Sequence, residues 1–305
     1  MATPMRSTDF RSVVEPILNE VFDGIYDQRD DEWKAVCKER QGIKRAYHEE
    51  PILYGFNAAP EVPDGDPVTY GQGGELFRQR YNYRVFGLAF ALTKILVEDG
   101  DHISIGKIYS EHLAQSMIET KETLVAQIFN RAFNAAFPGG DGVSMNSAAH
   151  PTAAGTFSNL LTTAAALSQT SAEQMLIQVR SASDNNGKKI RLNPVKFIVS
   201  PSNIFQAEVI VKSVLRTGAA NNDINPIKTT GMLSQGVAVL SRVTSTTAWW
   251  IQNGNVNRGV QLMMRRRLQK SMEGDFETDS MRYKSTERYI PGWTDPRDNW
   301  GTPGL

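Results

Sequence analysis

The stretch that decides the fold runs from Ile103 to Phe137 and reads ISIGKIYSEHLAQSMIETKETLVAQIFNRAFNAAF. Apolar residues recur in it at spacings of three and four, which is the pattern of a helix with one buried stripe. At 1.5 Å per residue this helix would be roughly 50 Å long, which is more than a compact domain needs. Its end is predicted at Pro138-Gly139-Gly140, because these residues stop a helix. A rod of this length is typical of an extended molecule that lies across its neighbours.

Two segments of different composition precede this helix. Residues 1–46 begin with an apolar stripe and continue into a charge-dense stretch, so they are predicted to form a helical arm. Residues 47–80 contain four prolines and five glycines. A structureless loop of that length is uncommon inside a compact domain, so we predict an arm that reaches onto another subunit. Within it, Leu53–Phe56 and Val68–Tyr70 are predicted to pair as a ribbon. Arg80–Val97 alternates at first and then turns continuously apolar, so it is predicted to be a strand that enters a core.

The chain beyond the helix is predicted to be mixed α/β and then strand-rich. Residues 259–290 return to a period of two and turn at Glu273-Gly274-Asp275, which predicts a closing hairpin. The tail from Pro291 to Leu305 is predicted to be pinned by its tryptophans. In the mixed segment, residues 156–255, the predicted elements are helices at Phe157–Leu167 and from a capping box at Ser171, and strands at Val195–Val199, Val237–Leu240 and Trp249–Ile251.

The composition excludes several classes of function. The 33 basic and 33 acidic residues cancel, so the surface as a whole is not a polyelectrolyte binder and any nucleic-acid contact must be local. Cys37 is the only cysteine, which excludes an intrachain disulfide and a multi-cysteine metal site and fits assembly in a reducing cytosol. We interpret it as an incidental thiol. The N-terminus lacks the apolar stretch of a signal peptide, and no segment predicts a transmembrane helix.

The residue types that carry chemistry do not form a recognisable constellation. The four histidines, His48, His102, His112 and His150, lack metal-binding spacing, and no cysteine pair accompanies them. His150 lies close to Ser147, but the segment has no GxSxG motif, so a loop in which the histidine bonds backbone is favoured over a nucleophile and its base. We therefore predict no catalytic, cofactor-binding or metal-binding residues.

Three further motifs favour structural roles. Gly71–Gly74 and Gly139–Gly142 match neither a P-loop nor a dinucleotide fingerprint, so flexible loops or hinges are favoured over phosphate sites. Arg265–Arg267 could meet phosphate, but alternate residues of a strand face opposite sides, so ion pairs to a neighbouring subunit or a solvated face fit it at least as well. Trp249-Trp250 is predicted to be a core or interface anchor instead of a base-stacking platform.

In the order of its parts, the chain resembles the major capsid proteins of tailed bacteriophages, which share the Hong Kong ninety-seven-like fold. The resemblance covers nearly the whole chain. Two phrases look closest to the major head subunit of the Mu-like branch. They are FGLAFALTKILVEDG at residues 86–100 and GVSMNSAAHP at residues 142–151.

The resemblance implies an α+β fold and a division of the chain into named parts. An N-terminal arm is expected at residues 1–46, and an extended E-loop at residues 47–80. The peripheral P-domain is expected at residues 81–155, with its spine helix at 103–137. Residues 156–255 would form the central A-domain, and residues 256–305 would supply the closing P-domain strands and the C-terminal tail.

The resemblance also implies a structural protein and not an enzyme, with no cofactor. Many copies would assemble into hexamers and pentamers of an icosahedral head that encloses double-stranded DNA and contacts it non-specifically. The expected partners are other copies of the chain, a portal protein, a separate scaffolding protein and, on some shells, a decoration protein. No contact with a membrane is expected. The expected location is the virion, and the host cytoplasm during assembly.

One departure from the family pattern concerns the lock between subunits. Some members close their shells with an isopeptide bond from an E-loop lysine, and residues 49–83 contain no lysine. Stability is therefore expected from burial and ion pairs between subunits, or from a separate cementing protein. The chain starts close to its arm, so we expect a separate scaffolding protein or removal of a leader.

Two alternatives to a viral shell stay open at this point. An encapsulin would share the fold and form a compartment for protein cargo. A soluble α/β enzyme would need an acid–base or metal constellation, which the sequence does not show. The shell hypothesis predicts that deleting Pro51–Arg78 leaves subunits that fold and cannot close shells.

Overall fold

The computed structural model describes residues 7–28, 31–41, 45–93, 95–96, 102–216, 223–275 and 280–305. It is a mixed helix-and-sheet protein, which confirms the predicted α+β class. The α-helices are Ser7–Gln28, Glu32–Val36, His102–Asn130, Gln169–Arg180, Ile204–Lys212 and Pro226–Thr229. The strands are β1 (Lys38–Arg40), β2 (Tyr47–Tyr54), β3 (Gly74–Asn82), β4 (Arg84–Leu92), β5 (His150–Thr152), β6 (Gly155–Phe157), β7 (Pro194–Val199), β8 (Val237–Val239), β9 (Trp249–Asn253), β10 (Val260–Gly274), β11 (Met281–Trp293) and β12 (Asn299–Thr302). Among the helices in these ranges, none combines the length and the apolar character that a membrane span requires.

The long helix, His102–Asn130, has 29 residues and is about 43 Å long. The prediction of a helix over Ile103–Phe137 is therefore wrong at its C-terminal end. The side chain of Asn130 accepts a hydrogen bond from the backbone N–H of Thr244 at 2.9 Å. The side chain of Asn134 accepts one from the backbone two residues later. Local bonds of this kind compete with the helical ladder and end it before the proline.

The first sheet has the strand order β1-β10-β11-β4 and packs against the long helix. Its centre is the predicted closing hairpin, paired from Val260 and Trp293 to Gly274 and Met281. The strand predicted over Arg80–Val97 is divided between two strands instead, β3 and β4, and parts of that range lie outside the described residues. The chain changes partners at the break, because β3 pairs with β2 whereas β4 pairs with β11.

The second sheet has the order β12-β9-β7-β8, with β7 and β8 parallel. The predicted strands at β7, β8 and β9 are confirmed. The helices Gln169–Arg180 and Ile204–Lys212 cover one face, where Met175 and Ile210 pack on Phe197 and Trp249. The other face packs on the long helix through Ile198, Trp250, Val125 and Phe129, so one core joins the two sheets.

The helix predicted at Phe157–Leu167 is absent, because that backbone bonds to distant parts of the chain. The N–H of Leu161 donates to Gly301 at 3.2 Å, and Leu160 forms an isolated bridge with the same residue. The next helix has a capping box that begins at Ser168, whose side chain accepts from the N–H of Ser171. The capping box therefore begins three residues earlier than predicted.

The C-terminal tail ends as a strand of the second sheet. β12 pairs antiparallel with β9. Trp300 is buried in the cluster that packs between this sheet and its covering helices. The tail is thus held by a tryptophan, as predicted. The sequence-based boundary places residues 256–305 with the closing strands, whereas the hydrogen bonds of β12 go to the sheet within residues 156–255.

The first helix of the N-terminal arm, Ser7–Gln28, lies along the long helix. Val14, Leu18 and Phe22 are buried against Leu113 and Met117. The hydroxyl of Ser110 on the long helix donates to the backbone oxygen of Leu18 at 2.8 Å. Pro16 lies inside this helix without ending it.

Strands β2 and β3 form a two-stranded ribbon that carries an exposed loop. The ribbon pairs Tyr47 with Asn82 at its base and Tyr54 with Gly74 at its end. The predicted pairing of Leu53–Phe56 with Val68–Tyr70 is wrong. The segment between the strands contains Pro60, Pro63 and Pro67, which have no N–H to donate to a ladder. We call residues 55–73 the loop tip; every residue in it is exposed.

Candidate assembly surfaces

His150 is a buried structural residue. Its Nδ1 lies 2.5 Å from the carboxylate of Asp141, and its Nε2 lies 3.1 Å from the side-chain oxygen of Asn159. Asn159 in turn donates to the backbone oxygens of Met145 and Asn299, at 2.8 and 2.9 Å. The loop prediction is correct only up to Ala149, because His150 begins strand β5, and the histidine ring bonds side chains instead of backbone. Ser147 accepts a hydrogen bond from a backbone N–H and makes none to His150, so no nucleophile is paired with this base.

Among the side chains that the structure describes, the remaining chemistry-bearing groups do not converge on a site. His48 lies 3.3 Å from the carboxylate of Glu50, and His112 is exposed on the long helix. Among the described residues, no group of three or more His, Cys, Asp and Glu side chains could hold a metal ion. Cys37 is buried in the core beneath the long helix, and its burial raises the pKa of the thiol. This thiol is therefore poorly suited to nucleophilic chemistry.

The glycines at Gly139 and Gly140 allow close packing. A Cβ on Gly139 would come within 2.2 Å of the ring of Trp293, and one on Gly140 within 2.9 Å of the Cα of Gln79. The predicted hinge is therefore a tightly packed loop that lies against β3 and the end of the hairpin. No substituent fits there without displacing the backbone of β3 or the tryptophan.

Two other predicted motifs lie within the hairpin and the second sheet. Arg266 donates to Thr286 at 3.0 Å and Arg267 donates to Gln41 at 2.5 Å, so neighbouring arginines of the triplet have different partners. Trp249 and Trp250 are 0% and 1% exposed, which confirms the core prediction. Each also donates its indole N–H, to Ala165 and to Asn146 respectively.

A buried ion pair joins the arm helix, the long helix and the hairpin. The Nζ of Lys121 lies 2.9 Å from the carboxylate of Glu287, and both side chains are almost fully buried. Tyr26 of the arm helix donates its hydroxyl to Glu287 and accepts a hydrogen bond from Lys121. Burial and the neighbouring Glu287 carboxylate raise the pKa of Tyr26 well above its ordinary value.

Glu122 gives the subunit a pH dependence. Its side chain is 3% exposed and accepts a hydrogen bond from the backbone N–H of Trp33 at 3.1 Å. The pKa of Glu122 is raised to about 7, mainly by burial. The nearby Arg242 lowers this pKa, whereas the carboxylates of Glu32 and Asp31 raise it further. The folded state therefore binds this proton more tightly than the unfolded state. The stabilisation is complete below the unfolded pKa and is lost as the pH rises through about 7.

Between about pH 5 and pH 8, we expect the unfolding free energy of the wild type to fall by about 1–3 kcal/mol more than that of Glu122→Gln. Glutamine keeps an acceptor for the Trp33 N–H and carries no charge to desolvate. Urea unfolding of the unassembled subunit over this pH range measures the effect. Glu273→Gln, at an exposed position, is the control and should keep the wild-type slope. An unchanged slope for Glu122→Gln would show that its carboxyl is not the source.

The loop tip is acidic and apolar at once. It contains Glu61, Asp64 and Asp66 and no basic residue. Within the part of the chain that the structure describes, none of these three carboxylates forms an ion pair. Two apolar side chains of the tip are also strongly exposed, Val68 at 75% and Tyr70 at 96%. Exposed apolar groups clustered in this way mark an interaction surface.

The start of the loop tip is tied to its own chain. The side chain of Asn185 donates to the backbone oxygen of Leu53 at 3.3 Å, and Asn186 donates to that of Gly55 at 2.5 Å. Lys188 donates to the backbone oxygen of Phe56. These bonds fix the direction in which the ribbon leaves the subunit, and the rest of the tip continues beyond them.

A groove of about 420 Å³ opens between the base of the ribbon, the end of the long helix and the hairpin. We call it the arginine groove, because Arg80, Arg84 and Arg131 line it and no Asp or Glu does. All three arginines are exposed. Its apolar walls are Tyr81, Phe86, Phe137 and Trp293. The sequence does not reveal this groove, because its residues are far apart in the chain and meet only in the fold.

Comparisons with known proteins concern most of the chain. A model of the family described as phage capsid protein matches residues 83–298. No curated protein matches the sequence significantly.

Several solved structures share the fold. The capsid of the Cyanophage P-SCSP1u has a TM-score of 0.55 at 12% identity, over 90% of this chain and 88% of that one. The procapsid of bacteriophage JBD30 has a TM-score of 0.53 at 12% identity, over 99% and 76%. The virus-like particle from Pyrococcus furiosus has a TM-score of 0.51 at 11% identity, over 94% and 98%. These likenesses show the fold, and it is the Hong Kong ninety-seven-like fold that the family resemblance implied.

Proposed function

This chain belongs to the phage capsid protein family, and we propose that its copies form the hexamers and pentamers of an icosahedral head that encloses double-stranded DNA. The observation that carries the proposal is the loop tip. Every residue of 55–73 is exposed, and the segment includes apolar side chains that no part of the described chain covers. Such a segment acquires a buried environment when it lies on another subunit.

We assign the parts of the chain to the roles that this family fold provides. Residues 1–46 are the N-terminal arm and residues 47–80 the E-loop, which contains the loop tip. Residues 81–155 and 256–305 are the P-domain with its tail, and the long helix is the spine. Residues 156–255 are the A-domain, which meets other copies around the capsomer axis. The continuous core between the second sheet and the long helix supports a subunit that moves as one body.

The proposed role is structural and not enzymatic. It is supported by the way His150 and Cys37 are buried without a paired nucleophile or an activating partner. Contact with DNA would be non-specific and local, because the chain has no excess of basic residues. A portal protein, a separate scaffolding protein and, on some shells, a decoration protein would complete the head. Assembly would take place in the host cytoplasm, without a membrane.

We further place the chain in the Mu-like branch of these proteins. The support is the phrase at residues 142–151, which folds into the buried network around Asn146 and His150, and the phrase at residues 86–100, of which residues 86–92 belong to β4. A structure of the assembled head tests this placement. A subunit arrangement closer to that of another branch would contradict it.

The alternative is a protein-cargo compartment of the encapsulin type. The observation in its favour is the likeness to the Pyrococcus furiosus virus-like particle, which extends over 98% of that chain. Particles purified from the producing cells separate the two functions. A viral head protects DNA from nuclease and has one vertex occupied by a portal, whereas a compartment contains protein and has equivalent vertices.

Removing the loop tip tests the shell function directly. We expect a variant in which Asn-Gly replaces residues 55–73 to fold and to form no closed shells. Tyr54 and Gly74 are already paired, so a two-residue turn can close the ribbon without disturbing β2 or β3. Electron microscopy of the purified protein measures shell formation, and thermal unfolding of the unassembled subunit is the control for folding. Closed shells of normal size would contradict the assignment of this segment.

A further inference from the structure

We propose that the acidic loop tip of one copy binds in the arginine groove of a second copy. This inference rests on the proposed function, because it names the surface on which the E-loop lies. Both surfaces are present on every chain, and they are different from each other. Repetition of such a contact generates a ring when the rotation closes, as a capsomer requires.

The charges of the two surfaces are complementary. The loop tip presents Glu61, Asp64 and Asp66 without a basic residue, and the groove presents three arginines without an acidic one. Guanidinium and carboxylate groups form the strongest hydrogen-bonded ion pairs available to side chains. Opposite potentials on two patches also favour encounter in the correct orientation and disfavour contacts between like patches.

The arginines of the groove are available for a partner. Within the described residues, no carboxylate forms an ion pair with Arg84 or Arg131; Arg131 stacks over the ring of Phe137 at 4.2 Å. Arg80 stacks over Tyr47 at 4.0 Å and has one carboxylate, that of Glu49, at the 4.0 Å limit of an ion pair. Stacking on a ring holds a guanidinium in place and leaves its N–H groups free to bind a carboxylate.

The apolar parts of the two surfaces also match. Tyr70 is 96% exposed, whereas the walls of the groove include the rings of Phe86, Phe137 and Trp293. The groove volume of about 420 Å³ lies within the range of sites that hold small ligands, roughly 300–1,000 Å³. It can therefore receive one aromatic side chain. An aromatic anchor in a pocket, surrounded by charged contacts at the rim, is the usual energetic centre of an interface.

The occupant is a second copy and not the loop tip of the same chain. In the free subunit the groove is open while every residue of the tip is exposed, so the two do not meet within one chain. The bonds from Asn186 and Lys188 to the start of the tip hold it toward the second sheet. The groove lies at the base of the ribbon, against the end of the long helix and the hairpin, and no residue of the loop tip lines it.

Cross-linking in assembled shells tests the placement. We expect the double variant Tyr70→Cys/Gln127→Cys, treated with a short bis-maleimide, to give a ladder of covalent multimers, because Gln127 lines the groove. Cys37 is buried, so the wild-type chain is a control that should stay monomeric on a denaturing gel. Tyr70→Cys/Ile177→Cys, with its second cysteine on an exposed residue of the second-sheet helix, should also give no ladder. Shells of the groove variant without a ladder would overturn the proposal.

Charge exchange tests the chemistry. We expect Asp64→Lys/Asp66→Lys and Arg84→Glu/Arg131→Glu each to lower the yield of shells at least about tenfold, which corresponds to about 1.4 kcal/mol of lost contact. The quadruple variant, which restores opposite charges, should recover most of that yield. Lys284→Glu, a reversal on an exposed residue of the hairpin outside the groove, is the matched control. Normal yields from both double variants, or a quadruple variant no better than they are, would overturn the proposal.

The shell function and the docking surface can be disproved separately. If the wild-type chain forms no closed shells with its partners present, the proposed function is wrong. If it forms shells and the groove variant gives no cross-link, the function stands and this docking surface is wrong. Thermal unfolding of each unassembled variant separates a lost contact from a misfolded subunit.

Discussion

Replacing Trp250 with alanine is expected to lower the free energy of unfolding of the subunit by about 3–5 kcal/mol. Trp250 is 1% exposed and lies in the core that joins the second sheet to the long helix. Its ring packs against Phe129 at 5.3 Å and Phe133 at 5.7 Å between centroids. Its indole N–H donates to the side-chain oxygen of Asn146 at 3.0 Å. Alanine removes these contacts together and leaves a cavity where the two halves of the subunit meet.

Urea unfolding of the unassembled subunit measures this loss, and two further variants divide it. Trp250→Phe keeps a ring and loses the N–H, so we expect about 1–3 kcal/mol from the unpaired oxygen of Asn146. Phe205→Ala, at a position that is 82% exposed, should stay within about 0.5 kcal/mol of the wild type. A cost for Trp250→Ala no larger than that of Phe205→Ala would mean that the sheet and the long helix are not packed together in solution.

The elements that the sequence predicts well are those whose signal is local and periodic. The long helix follows from three-and-four spacing, and the closing hairpin from alternation over β10 and β11 around one turn. The long helix ends earlier than the sequence predicts, because the residues that stop it, Asn130 and Asn134, act through side-chain hydrogen bonds. One of these partners is Thr244, more than a hundred positions away. No local pattern reveals such a bond.

The elements that the sequence predicts poorly take their hydrogen bonds from distant segments. Residues 157–167 have helical spacing, yet their backbone bonds to Gly301. The sequence predicts that the ribbon pairs through Val68–Tyr70, because this segment is apolar and close in sequence. In the structure, Tyr54 pairs with Gly74 instead. Tyr70 remained exposed instead. An apolar run predicts burial correctly only when the partner surface belongs to the same chain.

The absence of a catalytic or metal site was predicted from missing motifs, and it stays a prediction for the whole chain. The two surfaces proposed for assembly differ in how far the sequence could reveal them. The acidity of residues 55–73 can be read directly from Glu61, Asp64 and Asp66. The arginine groove cannot be read in that way, because Arg80 and Arg131 belong to a strand and a helix end that only the fold brings together.

Replacing Lys121 with methionine is expected to cost about 3–5 kcal/mol of unfolding free energy, because it leaves the Glu287 carboxylate buried without its cation. The Lys121 side chain lies 2.9 Å from that carboxylate, beneath the arm helix. Tyr26 donates its hydroxyl to the same carboxylate, so the uncompensated charge also lies against the arm. We therefore expect the arm helix to detach first and to become the earliest site of cleavage in limited proteolysis.

The double variant Lys121→Met/Glu287→Leu distinguishes a lost charge pair from lost packing. It removes both charges and keeps similar volume, so we expect most of the stability to return and the arm to regain its protection. Tyr26→Phe is the smaller, matched change, and it should cost about 1–3 kcal/mol, because it removes the hydrogen bonds that the hydroxyl makes with Glu287 and Lys121. If the single and the double variant lose the same stability, the cost lies in packing and not in the charge. If neither loses any, the arm helix does not lie over this pair in the free subunit, and the docked arm would have to be a property of the assembled shell.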